Sequence, residues 1–153
     1  MKFLVDFMLG RLAKELRLLG FDTLYPGPDN PANLLARTRR EGRVLITRNT
    51  RLKGKEGVEF LPSEDLREQI RVLFKRFDLK SKIKPFSRCL LCNEELEEIP
   101  KKEVRGKVPF FIYRTIDNFS HCPKCGRIYW KGSHYQDMEG RIRGILKNVS
   151  HET

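Results

Sequence analysis

Two Cys-x-x-Cys pairs, Cys89/Cys92 and Cys122/Cys125, contain all four cysteines of a 153-residue chain, and 29 residues lie between them. Each pair fits a tight turn that turns two sulfurs to one side, and two such knuckles converge tetrahedrally on one zinc ion. Pro123 within the second turn and Gly126 after it suit a turn whose backbone amides face sulfur. The interval is longer than the most familiar ribbon spacing, so an inserted strand or loop is expected. Two disulfides would use the same cysteines in an exported chain. The start Met1-Lys2-Phe3-Leu4-Val5-Asp6 meets a charge before any apolar run develops, so no export signal is expected and a cytoplasmic location is. His121, beside Cys122, is either a substitute ligand or a surface polar residue. A four-sulfur site is coordinatively closed, so its single zinc is expected to be structural and its segment to depend on the metal for folding.

Ahead of the cysteines, strand and helix patterns alternate. Lys2 to Val5 reads as a short buried strand, and Phe7 to Leu19 as a helix with Met8, Leu12, Leu16 and Leu19 on its apolar face, stopped by Gly20. Phe21 to Tyr25 reads as a strand, and Ala32 to Glu41 as a helix with Pro31 at its first position. Arg43 to Thr47 and Val58 to Leu61 read as strands, and a helix capped by Ser63 follows, with Lys75 and Arg76 in its last turn. This alternation predicts a small α/β layer with a mostly parallel sheet over residues 1–83. A four-cysteine zinc ribbon is expected over 84–135, with short strands and no helix. Residues 136–153 are expected as a basic tail or a short helix weakened by Gly140 and Gly144.

Charge narrows the partner. The chain carries 31 lysines and arginines against 20 aspartates and glutamates, a formal charge of +11. The excess is spread, at +7 over residues 1–83 and +4 over 84–153, so one extended polyanion suits both parts. A solvated, heat-adapted surface would raise both signs together. RNA is the expected partner, with the ribosome as an abundant structured form of it. Double-stranded DNA is disfavoured because no recognition-helix motif is present. No run of ~18 apolar residues exists, so no membrane span is expected. Candidate RNA contacts are Arg11 and Lys14 (with Arg17) on the first helix, Arg48, Arg51, Lys53 and Lys55 after the third strand, and Arg127, Lys131 and His134 in the cysteine-rich part. Tyr129, Trp130 and Tyr135 beside them either stack bases or pack the ribbon against the first unit.

Ligands of an open parallel sheet collect beyond the carboxyl ends of its strands. Asp6 ends the first strand, Asn49 follows the third, and Glu64 and Asp65 follow the fourth. Phosphodiester cleavage there would need several carboxylates around Mg²⁺ or Mn²⁺; Asp6 is equally suited to capping the next helix.

The segments Lys2-Phe3-Leu4-Val5-Asp6, Met8-Leu9-Gly10-Arg11-Leu12-Ala13, Leu16-Arg17-Leu18-Leu19-Gly20-Phe21-Asp22-Thr23 and Gly42-Arg43-Val44-Leu45-Ile46-Thr47-Arg48 carry a resemblance. With Cys125-Gly126-Arg127-Ile128-Tyr129-Trp130-Lys131-Gly132-Ser133-His134, they make the chain similar, over nearly its whole length, to the PIN-like ribonuclease domain family also found at the C-terminus of Mut-seven-type exonucleases. The resemblance implies a PIN-like α/β fold with an appended zinc ribbon and metal-dependent RNA cleavage. Asp6 matches the family's acidic site, and Asp29 lies near it in sequence but displaced. Asn33 and Asn49 stand where the family usually has acids. Asparagine offers a hard cation a carbonyl oxygen but no negative charge. Two functions therefore stand: an RNA binder with cleavage weakened or lost, and a divalent-metal-dependent endoribonuclease using Asp6.

Overall fold

A computed structural model describes the backbone of residues 1–151 and side chains as far as Lys147. The first half forms β1 (Lys2–Val5), α1 (Gly10–Leu18), β2 (Asp22–Leu24), α2 (Pro31–Glu41), β3 (Val44–Thr47), β4 (Val58–Phe60) and α3 (Leu66–Phe77). The strands run in parallel in the spatial order β2-β1-β3-β4, as the alternation predicts. Side chains alternate across a strand, and this sorts the core into two clusters. Phe3, Val5 and Ile46 pack with α1 and α3, whereas Leu4 and Leu45 pack with Leu34 of α2 and Leu52 of the β3–β4 connection. The sheet is thus covered on both faces.

Local boundaries differ in instructive ways. Phe7–Leu9 form a tight 3-10 turn before α1, which leaves Met8 52% exposed and places Leu9, with Leu12, Ala13 and Leu16, on the buried face instead. Asn30 caps α2 by accepting from the Asn33 amide at 2.8 Å, with Pro31 at the first helical position. Ser63 does not cap α3; its hydroxyl accepts from the Asp65 amide and the helix starts three residues later, at Leu66.

The cysteine-rich part contains β5 (Glu97–Ile99), α4 (Lys101–Val104), α5 (Phe110–Thr115), β6 (Phe119–His121) and β7 (Ile128–Trp130), with the three strands antiparallel in the order β5-β6-β7. Two short helices in the interval between the knuckles correct the expectation that it holds none. Each begins immediately after a proline, Pro100 or Pro109, and at 4 and 6 residues neither is long enough to show a helical period.

The C-terminal segment is also corrected. It is neither a tail nor a short helix but α6, 19 residues from Ser133 to His151. Met138, Ile142 and Ile145, spaced four and three apart, enter the same core as α1 and α3. Burial of this stripe outweighs the weak helix propensity of Gly140 and Gly144.

The first knuckle is seated on the free edge of β2. The Asn93 side chain accepts from the Thr23 amide at 2.9 Å and donates to Asp22 Oδ1 at 2.7 Å. Arg17 donates to the carbonyls of Thr23 and Leu90, and Arg88 to that of Gly20. Gly20 has a φ of +92°, and a Cβ there would lie 2.3 Å from the Lys84 carbonyl oxygen. A side chain at this point would force apart the two passing backbones. Among the described residues, no helix is long and apolar enough to cross a membrane.

Candidate metal centre and nucleic-acid interface

Cys89, Cys92, Cys122 and Cys125 bring their sulfurs within 4.8 Å of one another. The Cys89 and Cys125 sulfurs are 3.7 Å apart, against about 3.8 Å for the edge of a tetrahedron with ~2.3 Å metal–sulfur bonds. None forms a disulfide. The donor set fits one thiophilic, tetrahedral ion. Turn geometry prepares it: the Asn93 amide closes the first knuckle on the Cys89 carbonyl, and the Gly126 amide closes the second on that of Cys122. Asn93 takes the left-handed conformation the first turn requires, with φ +65°.

The Tyr129 hydroxyl donates to Cys89 Sγ at 3.2 Å and accepts from the Leu90 amide at 3.0 Å. Burial opposes ionisation of Cys89, but the Tyr129 hydroxyl and the amides of Cys92 and Leu91 outweigh it and bring the thiol down to about 6. Cys92, partly desolvated and facing the other sulfurs, is pushed up to about 12. Metal binding by thiols requires the thiolate form, so ion uptake at this cluster is coupled to proton release. His121 lies outside the cluster, with Nε2 3.9 Å from Glu97.

At the carboxyl edge of the parallel sheet, Asp6 is 6% exposed. Its Oδ1 accepts from the Phe7 amide at 2.8 Å and its Oδ2 from the Thr47 hydroxyl at 2.7 Å. Asp6 therefore caps the 3-10 turn and ties β1 to β3. Asn49 caps its own turn by accepting from the Arg51 amide. Asp29 is exposed and holds the Asn33 side chain at 2.9 Å, while Glu64 lies 3.6 Å from Arg48. Among the described residues, the four cysteines are the sole group of three or more cysteines, histidines or acids with ligand atoms gathered together. These carboxylates do not fit a two-ion hydrolytic centre, which needs several at one point.

The candidate RNA contacts divide between the two sides of the sheet. Arg11 and Lys14 of α1, with Arg127 and His134, line one cavity of about 800 Å³ between α1, α6 and the ribbon, a volume within the ~300–1,000 Å³ usual for ligand sites. Arg51, Lys53 and Lys55 are exposed on the β3–β4 connection, which packs through Leu52 on the α2 side, away from that cavity. Lys53 sits over the Phe60 ring at 5.1 Å. Arg48 turns back onto the carbonyls of Leu61 and Pro62, and Arg17 is absorbed in the junction. Lys131 lies over the Tyr135 ring at 5.0 Å, and Tyr135 packs on Phe86. Trp130 meets Phe119 edge-on and also lines the cavity.

Sequence reasoning missed two residues here. Arg141 of α6 donates to Glu15 of α1, a pair separated by 126 positions, which no local spacing signals. Glu15 Oε2 and Arg141 Nε are buried without partners at the cavity wall. The model of a family described as the Mut7-C RNAse domain matches residues 1–142. No curated protein and no solved structure matches the chain.

Proposed function

The chain belongs to the Mut7-C RNAse domain family, and from that premise we propose that it is an RNA-binding protein whose cleavage activity is weakened or lost. The observation that carries this reading is the cavity lined by Arg11, Lys14, Arg127, Arg141 and His134. Basic side chains drawn from three parts of the chain converge there beside Glu15 and Asp137, while the acids near Asp6 stay apart. In this reading the metal is a single structural zinc, and Arg51, Lys53, Lys55 and Lys131 add weaker contacts to the RNA backbone. The RNA is structured, with ribosomal RNA the abundant example, and the location is the cytoplasm, whose reducing conditions keep four thiols available for metal.

Binding by six to ten phosphate contacts should weaken by roughly 10³–10⁵ between about 50 and 200 mM salt. Anisotropy titrations of labelled RNA at several salt concentrations measure this, and a flat response removes the reading. The second reading, a Mg²⁺- or Mn²⁺-dependent endoribonuclease using Asp6, draws on the family's description and on the place of Asp6 at the end of a central strand. It requires RNA cleavage that Asp6→Asn abolishes while the folded state survives.

A further inference from the structure

Phe110 and Phe111 open α5 with 76% and 70% of their surfaces exposed, more than any other large apolar side chain described. Adjacent bare phenyl rings are a costly arrangement for a soluble surface, since burying one ordinarily stabilises a fold. Their surroundings indicate what covers them. Lys102, Arg105, Lys107 and Arg114 are all exposed around the pair in sequence, and none of the four joins an ion pair among the described residues. Lys101 is committed elsewhere, 3.3 Å from Asp117 and over the Tyr113 ring. The next residue of α5, Ile112, lines the cation-rich cavity, which places α5 beside it.

We propose that Phe110 and Phe111 form a stacking platform for unpaired RNA bases, continuing the path of a strand held in the cavity. The proposal rests on the RNA-binding reading and specifies its ligand as single-stranded segments. Aromatic faces accept any base, and flanking cations follow the backbone. A duplex keeps its bases stacked internally and offers these rings nothing. A purely apolar partner protein would have to desolvate four unpaired cations, whereas a nucleic-acid strand neutralises them.

The test uses the full metal-loaded chain, a labelled oligouridylate and a labelled RNA duplex, titrated over a range of salt. Phe110→Ala/Phe111→Ala should weaken single-strand binding by between about fivefold and a hundredfold for each base that loses its ring. It should leave the salt slope and the duplex affinity unchanged, because rings release no counterions. Phe110→Leu/Phe111→Leu should lose comparable affinity, and Phe110→Tyr/Phe111→Tyr should keep it. Both rings are exposed, so thermal unfolding of all three variants should match wild type. Undiminished binding by the alanine variant overturns the platform, as does wild-type binding by the leucine variant. Sedimentation showing self-association of wild type that the alanine variant abolishes overturns it too, because the rings then join two copies. If Arg11→Ala/Lys14→Ala flattens the salt slope while the alanine-ring variant binds normally, the platform falls and RNA binding stands. If wild type binds neither probe at low salt, both fall.

Discussion

Gly20 shows how much one missing side chain permits. Its positive φ acts together with the Lys84 carbonyl oxygen, which lies 2.3 Å from the place a Cβ would take. Gly20→Ala should destabilise the protein by about 2–5 kcal/mol, combining left-handed backbone strain with an overpacked contact; urea unfolding measures it. Asp22 is the electrostatic counterpart. Burial raises its pKa, but hydrogen bonds from Arg43 and Asn93 outweigh that and hold the carboxyl below its ordinary value. A depressed folded-state pKa means that the stabilisation is present above the unfolded value and disappears as pH falls through the folded one. The stability difference between wild type and Asp22→Asn should therefore be full near neutrality and shrink below about pH 4. Comparing the two proteins cancels the acid sensitivity of the thiolate cluster they share.

The elements were readable from sequence where their periodicity was long or their chemistry singular. Four parallel strands followed from alternation, and the metal cluster from two cysteine spacings. What escaped depended on partners far away in the chain. Arg17 has the sequence signature of a solvated helix face, yet it ties the first knuckle to β2. Gly140 and Gly144 lower the intrinsic propensity of the last helix, but its apolar stripe is held by α1 and α3. Met138→Ala and Ile142→Ala should each cost about 2–5 kcal/mol as buried truncations. Gly140→Ala, with nothing within 4 Å of the added methyl, should instead stabilise by up to ~1 kcal/mol. Chemical denaturation of the three variants checks both signs.

Across the molecule, the four-cysteine cluster and the cation-lined cavity share a wall. Tyr129 touches Cys89 and lines the cavity, so removal of the ion should disturb both. Treatment with a strong chelator should release protection of amides in β5, β6 and β7 while the parallel sheet stays protected, and RNA affinity should fall with it. Hydrogen exchange and a parallel titration read the two effects. Retained affinity in a ribbon that has lost protection would separate the cavity from the metal.

The return of α6 to the first sheet has a consequence for synthesis. The ribbon interrupts a core whose last apolar contributors, Met138, Ile142 and Ile145, are translated after both knuckles. A nascent chain emerging in order displays the bare flank of α1 and α3 until the final helix leaves the exit tunnel. Capture of the ion by the knuckles would meanwhile shorten the loop that α6 must span to close over that flank.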